Sequence, residues 1–242
     1  MEPEDSLYRY IGEDKLTDVA LAFADYADMK SPDTAGHSRR VAEVSERIAR
    51  RMSLPQRQVV TIRRAALAHD IGIVAIPSFV LNKPKSQLNG AEWEQVRLHP
   101  YHSERILSKV PALQAIIPIV GAHHERMDGQ GYHRGLPGVQ IPPEAQIIAV
   151  ADRFDELSHN QPDHPALELD EVLKVMRQEV GPHLAAEAFQ ALFEDLGGVI
   201  PPSRQRVRQQ EWPAGLTDRE VDVLRLVAKG LSRRQAAKTL FV

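Results

Sequence analysis

The chain has 242 residues, 43% hydrophobic and 26% charged, which fits one substantial domain plus an appendage and excludes global disorder. No run nears the roughly 20 apolar residues of a membrane span, and the acidic Met1 to Ser6 lacks the basic-then-apolar order of a signal peptide, so a cytoplasmic protein without membrane contact is expected. The complete lack of cysteine excludes disulfides, thiolate ligands and sulfur clusters, and leaves any metal to nitrogen and oxygen donors, which suit iron, manganese, zinc or nickel.

Gly12 to Lys30 reads as an amphipathic helix closed by Ser31 and Pro32. The next helix begins near His37, and its apolar positions Val41, Val44, Ile48 and Met52 recur at steps of three and four, placing His37 on the inward stripe. Leu54-Pro55 opens a helix through Val59, Ile62 and Ala66 whose end delivers His69 and Asp70 before Gly72 stops it. Asn89 with Glu92 forms a capping box for a helix running to His99, terminated by Pro100. Residues 112 to 124 read as helical, with Pro118 either kinking the helix or restarting it as a first-turn residue. Ile147 to Leu157 gives another apolar helix with Asp152 midway. Sustained period-two alternation is absent, so the fold class is all-α.

Glycine, proline and arginine crowd into residues 198 to 214 and mark a linker. Beyond it, Thr217 caps a helix carrying Val221, Leu224 and Val227, Gly230 ends that helix, and Ser232 caps another through Ala236 and Leu240. The net charge of −3 is uneven, because residues 203 to 242 hold nine Lys/Arg against four Asp/Glu; only this end of the chain invites nucleic acid.

Five imidazoles, His37, His69, His99, His123 and His124, and two carboxylates, Asp70 and Asp152, are spread over the first two thirds of the chain. That inventory suits two divalent metal ions. Catalytic two-metal sites hold their ions about 3.5 to 4 Å apart and need a bridging carboxylate, for which Asp70 is the natural candidate. Neutral imidazoles add no negative charge, so such a site attracts phosphate and ionises a bound water. Taken singly, each residue has a duller reading. His99 and the His69-Asp70 pair suit helix ends, Asp152 suits a helix surface, and Glu125, Asp128 and Gly131 suit a tight turn or a partner surface. The ordered set outweighs those readings.

The set also resembles the HD-GYP branch of the HD superfamily of metal-dependent phosphohydrolases over roughly residues 12 to 197. The resemblance is carried by Thr34-Ala35-Gly36-His37, His69-Asp70-Ile71-Gly72, Ile76-Pro77, Leu81-Asn82-Lys83-Pro84, Trp93, His99-Pro100, His123-His124-Glu125-Arg126, Asp128-Gly129-Gln130-Gly131-Tyr132 and Ala149-Val150-Ala151-Asp152. It implies an HD-type helical domain that hydrolyses cyclic di-GMP or a related nucleotide phosphoester with a metal-held hydroxide, His69 and Asp70 forming the catalytic pair. It assigns His37, His69, Asp70 and Asp152 to one metal and Asp70, His99, His123 and His124 to the other, with iron or manganese favoured over zinc or nickel. Asp33, four residues before His37, sits where trinuclear members place an acidic ligand to a third metal, though a helix cap suits it equally.

Three departures bear on substrate. The family's lysine after HDIG is Ile73 here, and its basic stretch after the Asp152 helix reads Gln161-Pro162-Asp163-His164; the proline of GYP is His133. Metal binding lowers the pKa of water from 15.7 to about 7, worth roughly 12 kcal/mol at 1.36 kcal/mol per unit, whereas losing one charge-stabilising donor costs about 3 to 4 kcal/mol. Slower or redirected hydrolysis is therefore expected, with Arg126, Lys83, Lys85 and Arg153 as candidate substrate-binding substitutes. The alternative is a metal-containing, catalytically weak nucleotide sensor. Residues 215 to 242 resemble the start of a LuxR-type helix-turn-helix without its recognition helix, so sequence-specific DNA binding is not expected. The apolar face of Val223, Leu224 and Val227 is expected to dock on the HD domain or a second chain, which makes a homodimer or a signalling partner the remaining candidates.

Overall fold

The computed structural model describes residues 12–31 and 34–198; Asp33, the linker beyond residue 198 and the helix-turn-helix resemblance lie outside them. The described chain is helical, with no named strand among its elements. In order, α1 spans Leu16–Asp28, α2 His37–Arg51, α3 Gln56–Ala68, α4 Ser78–Leu81, α5 Gly90–Arg97, α6 His99–Leu107, α7 Ile117–Val120, α8 Pro143–Ser158, α9 Leu169–Glu179 and α10 Ala186–Asp195. None of these helices is long and apolar enough to cross a membrane.

Helix α2 is the hub, packed against α3, α8 and α10. Val41, Ala42, Ile48 and Ala49 are fully buried on it, as the steps of three and four require. Its neighbours bury alanines, Ala65, Ala66 and Ala68 on α3 and Ala145 and Ala151 on α8, all with no exposed surface. Such small side chains let helix axes approach closely. Gly36, at φ +72°, precedes α2 and has no side chain to cap it. The cap comes instead from α1, where the buried Asp28 carboxylate accepts from Ser38 N at 3.1 Å and from Ser38 Oγ at 2.7 Å.

Several boundaries differ from the sequence reading; the helix read over residues 112 to 124 ends at Val120, and the one read from Ile147 already begins at Pro143. The first helix starts as a 3-10 turn, Glu13–Lys15, before α1 proper. Helix α3 stops at Ala68, and Gly72 lies inside a 3-10 turn, Ile71–Ala75, so it is not the stop signal. Gly72 is required there by crowding: a Cβ on it would lie 2.0 Å from the carbonyl oxygen of His99 and 2.5 Å from the nitrogen of Ser103. Pro100 does not end a helix either. The Asn89 capping box is present, but α5 ends at Arg97, and Pro100 stands in the first turn of α6, where a missing N–H leaves no bond unmade. Pro118 does the same for α7, after a 3-10 run Pro111–Ile116.

Candidate metal centre

Each histidine arrives at an element boundary. His37 opens α2, His69 and Asp70 follow α3, His99 opens α6, and His123 and His124 lie in the turns after α7, while Asp152 sits midway along α8. Ends of helices from distant parts of the chain thus meet at one place. Ser103 of α6 ties two of them together, its buried hydroxyl donating to the carbonyl of His69 at 2.8 Å and accepting from Gly72 N at 2.8 Å.

The donor atoms fall into two groups, Asp70 with His99, His123 and His124, and His37 with His69 and Asp152, each with its atoms within 4.8 Å of one another. Mutual proximity thus places Asp70 in the first group only. Its second oxygen nevertheless faces the other group: Oδ1 lies 3.1 Å from His99 Nε2 and 3.5 Å from His123 Nε2, and Oδ2 lies 3.4 Å from His69 Nε2 and 3.7 Å from His37 Nε2. Asp152 reaches both ways as well, with Oδ1 3.3 Å from His37 Nε2 and Oδ2 3.9 Å from His124 Nδ1.

Hydrogen bonds fix which ring nitrogens are free. The Nδ1 atoms of His69, His99 and His123 lie 2.7, 2.7 and 2.6 Å from the carbonyl oxygens of Ala66, Val96 and Val120, so each must carry its proton there. Each Nε2 is then a lone pair pointing into the site in the neutral ring. His99 Nε2 and His123 Nε2 face each other at 3.1 Å, so two neutral rings protonated at Nδ1 oppose lone pairs there. His69 Nε2 and Asp70 Oδ1 are buried without a hydrogen-bond partner. Opposed lone pairs and orphaned buried acceptors are costly in a closed interior unless a cation lies among them. The residues therefore fit divalent metal.

The charge states agree. Burial lifts the pKa of Asp70, but the surrounding imidazoles outweigh it and hold that carboxyl well below its usual range; Asp152 is depressed in the same way, chiefly by His37. Burial and the neighbouring imidazoles push His124 well below the ordinary histidine value, and burial lowers His123. Burial likewise disfavours charge on His37, yet Asp152 and Asp155 overcome it and hold its pKa well above the ordinary value. Near neutral pH the site offers ionised carboxylates and uncharged imidazoles on its His123 and His124 side, the states in which these groups ligate.

The groups open into a cleft walled by Ile73, Trp93, Val96, Tyr132, Glu156 and Gln161, with Lys85 at its margin. Of the four basic residues singled out in the sequence, Lys85 alone lines this cleft, paired with Glu156. Lys83 is bound to Glu92 at 2.5 Å, Arg153 to Glu179 at 2.6 Å and Glu156 at 2.7 Å, and Arg126 to Asp128. Sequence reasoning missed two residues. Arg97 stands 5.4 Å from the centroid of the Tyr132 ring. Asp155 is buried at 2.8 Å from His37 Nδ1; its position three after Asp152 on a predicted helix was the available signal.

A helical fold that gathers this His/Asp constellation points to an HD domain, and the comparisons agree. The HD domain family model matches residues 22–187, and the chain belongs to that family. It is 40% identical over 178 residues to 3'3'-cGAMP-specific phosphodiesterase 3 of Vibrio cholerae, covering 74% of this chain and 38% of that protein. It is 35% identical over 182 residues to a cyclic di-GMP phosphodiesterase of Thermotoga maritima, covering 74% of this chain and 48% of that protein. The chain thus spans less than half the length of these relatives. In fold it is similar to an HDG"Y"P protein from Bdellovibrio bacteriovorus, with a TM-score of 0.59 at 21% identity over 76% of this chain and 64% of the other.

Proposed function

We propose that the chain is a phosphodiesterase that hydrolyses a cyclic dinucleotide of the 3'3'-cGAMP or cyclic di-GMP class with two divalent metal ions. The observation that carries this reading is the position of Asp70, whose two oxygens face separate sets of imidazole lone pairs. His37, His69 and Asp152 would hold one ion and His99, His123 and His124 the other, with Asp70 available to both. All donors are nitrogen or oxygen, which suit iron, manganese, zinc or nickel. Ions bound there would polarise a phosphate and ionise water at neutral pH. The names of the relatives supply the substrate class.

The chain's own contribution is binding and orientation. Trp93 and Tyr132 give aromatic faces for nucleobases, where stacking is worth about 1 to 3 kcal/mol per base. Lys85 is the cleft's cation for a phosphate, in place of the lysine that Ile73 cannot supply. A third ion at Asp33 is not needed for this chemistry.

A second reading, a metal-holding nucleotide sensor, is favoured by one observation: Lys85 is already neutralised by Glu156, so the phosphate grip is weak. One experiment separates the two. The full chain, loaded anaerobically with iron or manganese, is incubated with 3'3'-cGAMP and with cyclic di-GMP beside its Asp70→Asn variant. Cleavage that falls by at least about a hundredfold in the variant, more than loss of a ligand's supporting partner costs, is the expected result. Binding of either nucleotide without cleavage by the wild type would move the assignment to the sensor.

A further inference from the structure

Asp155 lies outside both groups of facing donors and yet touches one of them. It is 2% exposed and sits one helical turn after Asp152 on α8. Its Oδ2 is 2.8 Å from His37 Nδ1. Arg40 forks onto it, Nε to Oδ1 at 2.7 Å and Nη2 to Oδ2 at 3.0 Å, and His159 Nδ1 stands 3.1 Å from Oδ1. Its oxygens are therefore committed away from the cleft, and it cannot serve as a ligand itself.

The contrast with the other imidazoles is chemical. His69, His99 and His123 each set Nδ1 against a neutral backbone carbonyl three residues earlier. Behind His37 stands a buried carboxylate, bonded in turn to a guanidinium. A carboxylate accepting the Nδ1 proton fixes the tautomer, locks the ring and raises the basicity of Nε2, and removing such a partner typically costs about 10- to 100-fold in metal affinity. No carbonyl does this as strongly, because it carries no full charge.

We propose that Asp155 is a positioning residue acting through His37, and that it strengthens metal binding selectively at the group formed by His37, His69 and Asp152. The inference rests on the two-metal reading above. It implies that the two sites are unequal by construction, with Arg40 holding Asp155 in register across the α2–α8 contact.

A rival role is purely mechanical: Asp155 as an ion-paired strut between α2 and α8. Equilibrium dialysis of the chelated full chain against manganese, with metal analysis, distinguishes them. Wild type should hold two ions per chain. Asp155→Asn should hold one at unchanged affinity and the other about 10- to 100-fold more weakly. Equal weakening at both sites, or no weakening beside a lowered melting temperature, would overturn the proposal. A wild type that fails to hold two ions would instead remove the two-metal reading beneath it. A measurement on the wild type guards against a variant that does not fold. In the zinc-loaded protein with nitrogen-15 histidine, the Nδ1 proton of His37 should resonate furthest downfield of the ligand imidazoles and move in Arg40→Gln; its absence from that region would count against Asp155.

Discussion

At the scale of single residues, the centre depends on groups that never face the cleft. Ser103 is fully buried, and its hydroxyl satisfies Gly72 N and the His69 carbonyl together. Replacing Ser103 with alanine strands a buried donor and a buried acceptor, each costing about 1 to 3 kcal/mol. Ser103→Ala should therefore lower unfolding free energy by about 2 kcal/mol or more in denaturant melts, with the loss larger in the metal-loaded protein, because His69 and Asp70 lose their tether to α6. Equal melting of variant and wild type would show that the hydroxyl is dispensable. Much of the site at this scale was legible in the sequence, since adjacent histidines and the His69-Asp70 pair stand out as residue types. The Nδ1 contacts were not, because backbone carbonyls leave no trace in side-chain identity. Asp155 was hidden for another reason: a lone carboxylate on a helix reads as surface until something buried is seen opposite it.

At the scale of elements, the sequence placed helices well and their ends less well. Periodicity located the buried stripe of α2, and the Asn89–Glu92 capping box is present. Pro100 and Gly72 misled, since each residue has two structural uses that only tertiary context separates: proline ends one helix or opens the next, and glycine stops a helix or admits a close neighbour. The contact between α2 and α3 supplies a pH-dependent element remote from the cleft. Glu46 on α2 meets Arg50 one turn along and Arg63 on α3. Burial works to raise its pKa, but the two guanidiniums prevail and lower it. A depressed carboxylate contributes stability above its unfolded pKa of about 4.3, and that contribution is lost as pH falls through the lower folded value. Glu46→Gln should thus melt below wild type at neutral pH, with the gap closing as pH drops below about 4. A gap that persists in acid would show that packing, not charge, accounts for the difference.

At the scale of the whole molecule, the donors are contributed by segments separated along the chain from His37 to Asp152, so a metal held among them cross-links helices that the sequence keeps apart. The unfolded chain cannot assemble such a set, and binding free energy becomes folding free energy. With free metal at about 100 times the dissociation constant, one site adds about 2.7 kcal/mol. Domains of about 150 to 250 residues shift by roughly 2 to 4 °C per kcal/mol, so each filled site should raise the melting temperature by about 5 to 10 °C. Chelation should accordingly lower the melting temperature by about that amount per ion removed, and excess manganese should restore it. Asp70→Asn should abolish most of the response, because the lost carboxylate faces both groups of donors. Scanning calorimetry of both proteins with and without chelator reads all of these terms at once. A wild type whose melting is indifferent to chelation would mean that the imidazoles hold no metal, and the hydrolytic reading would fall with it.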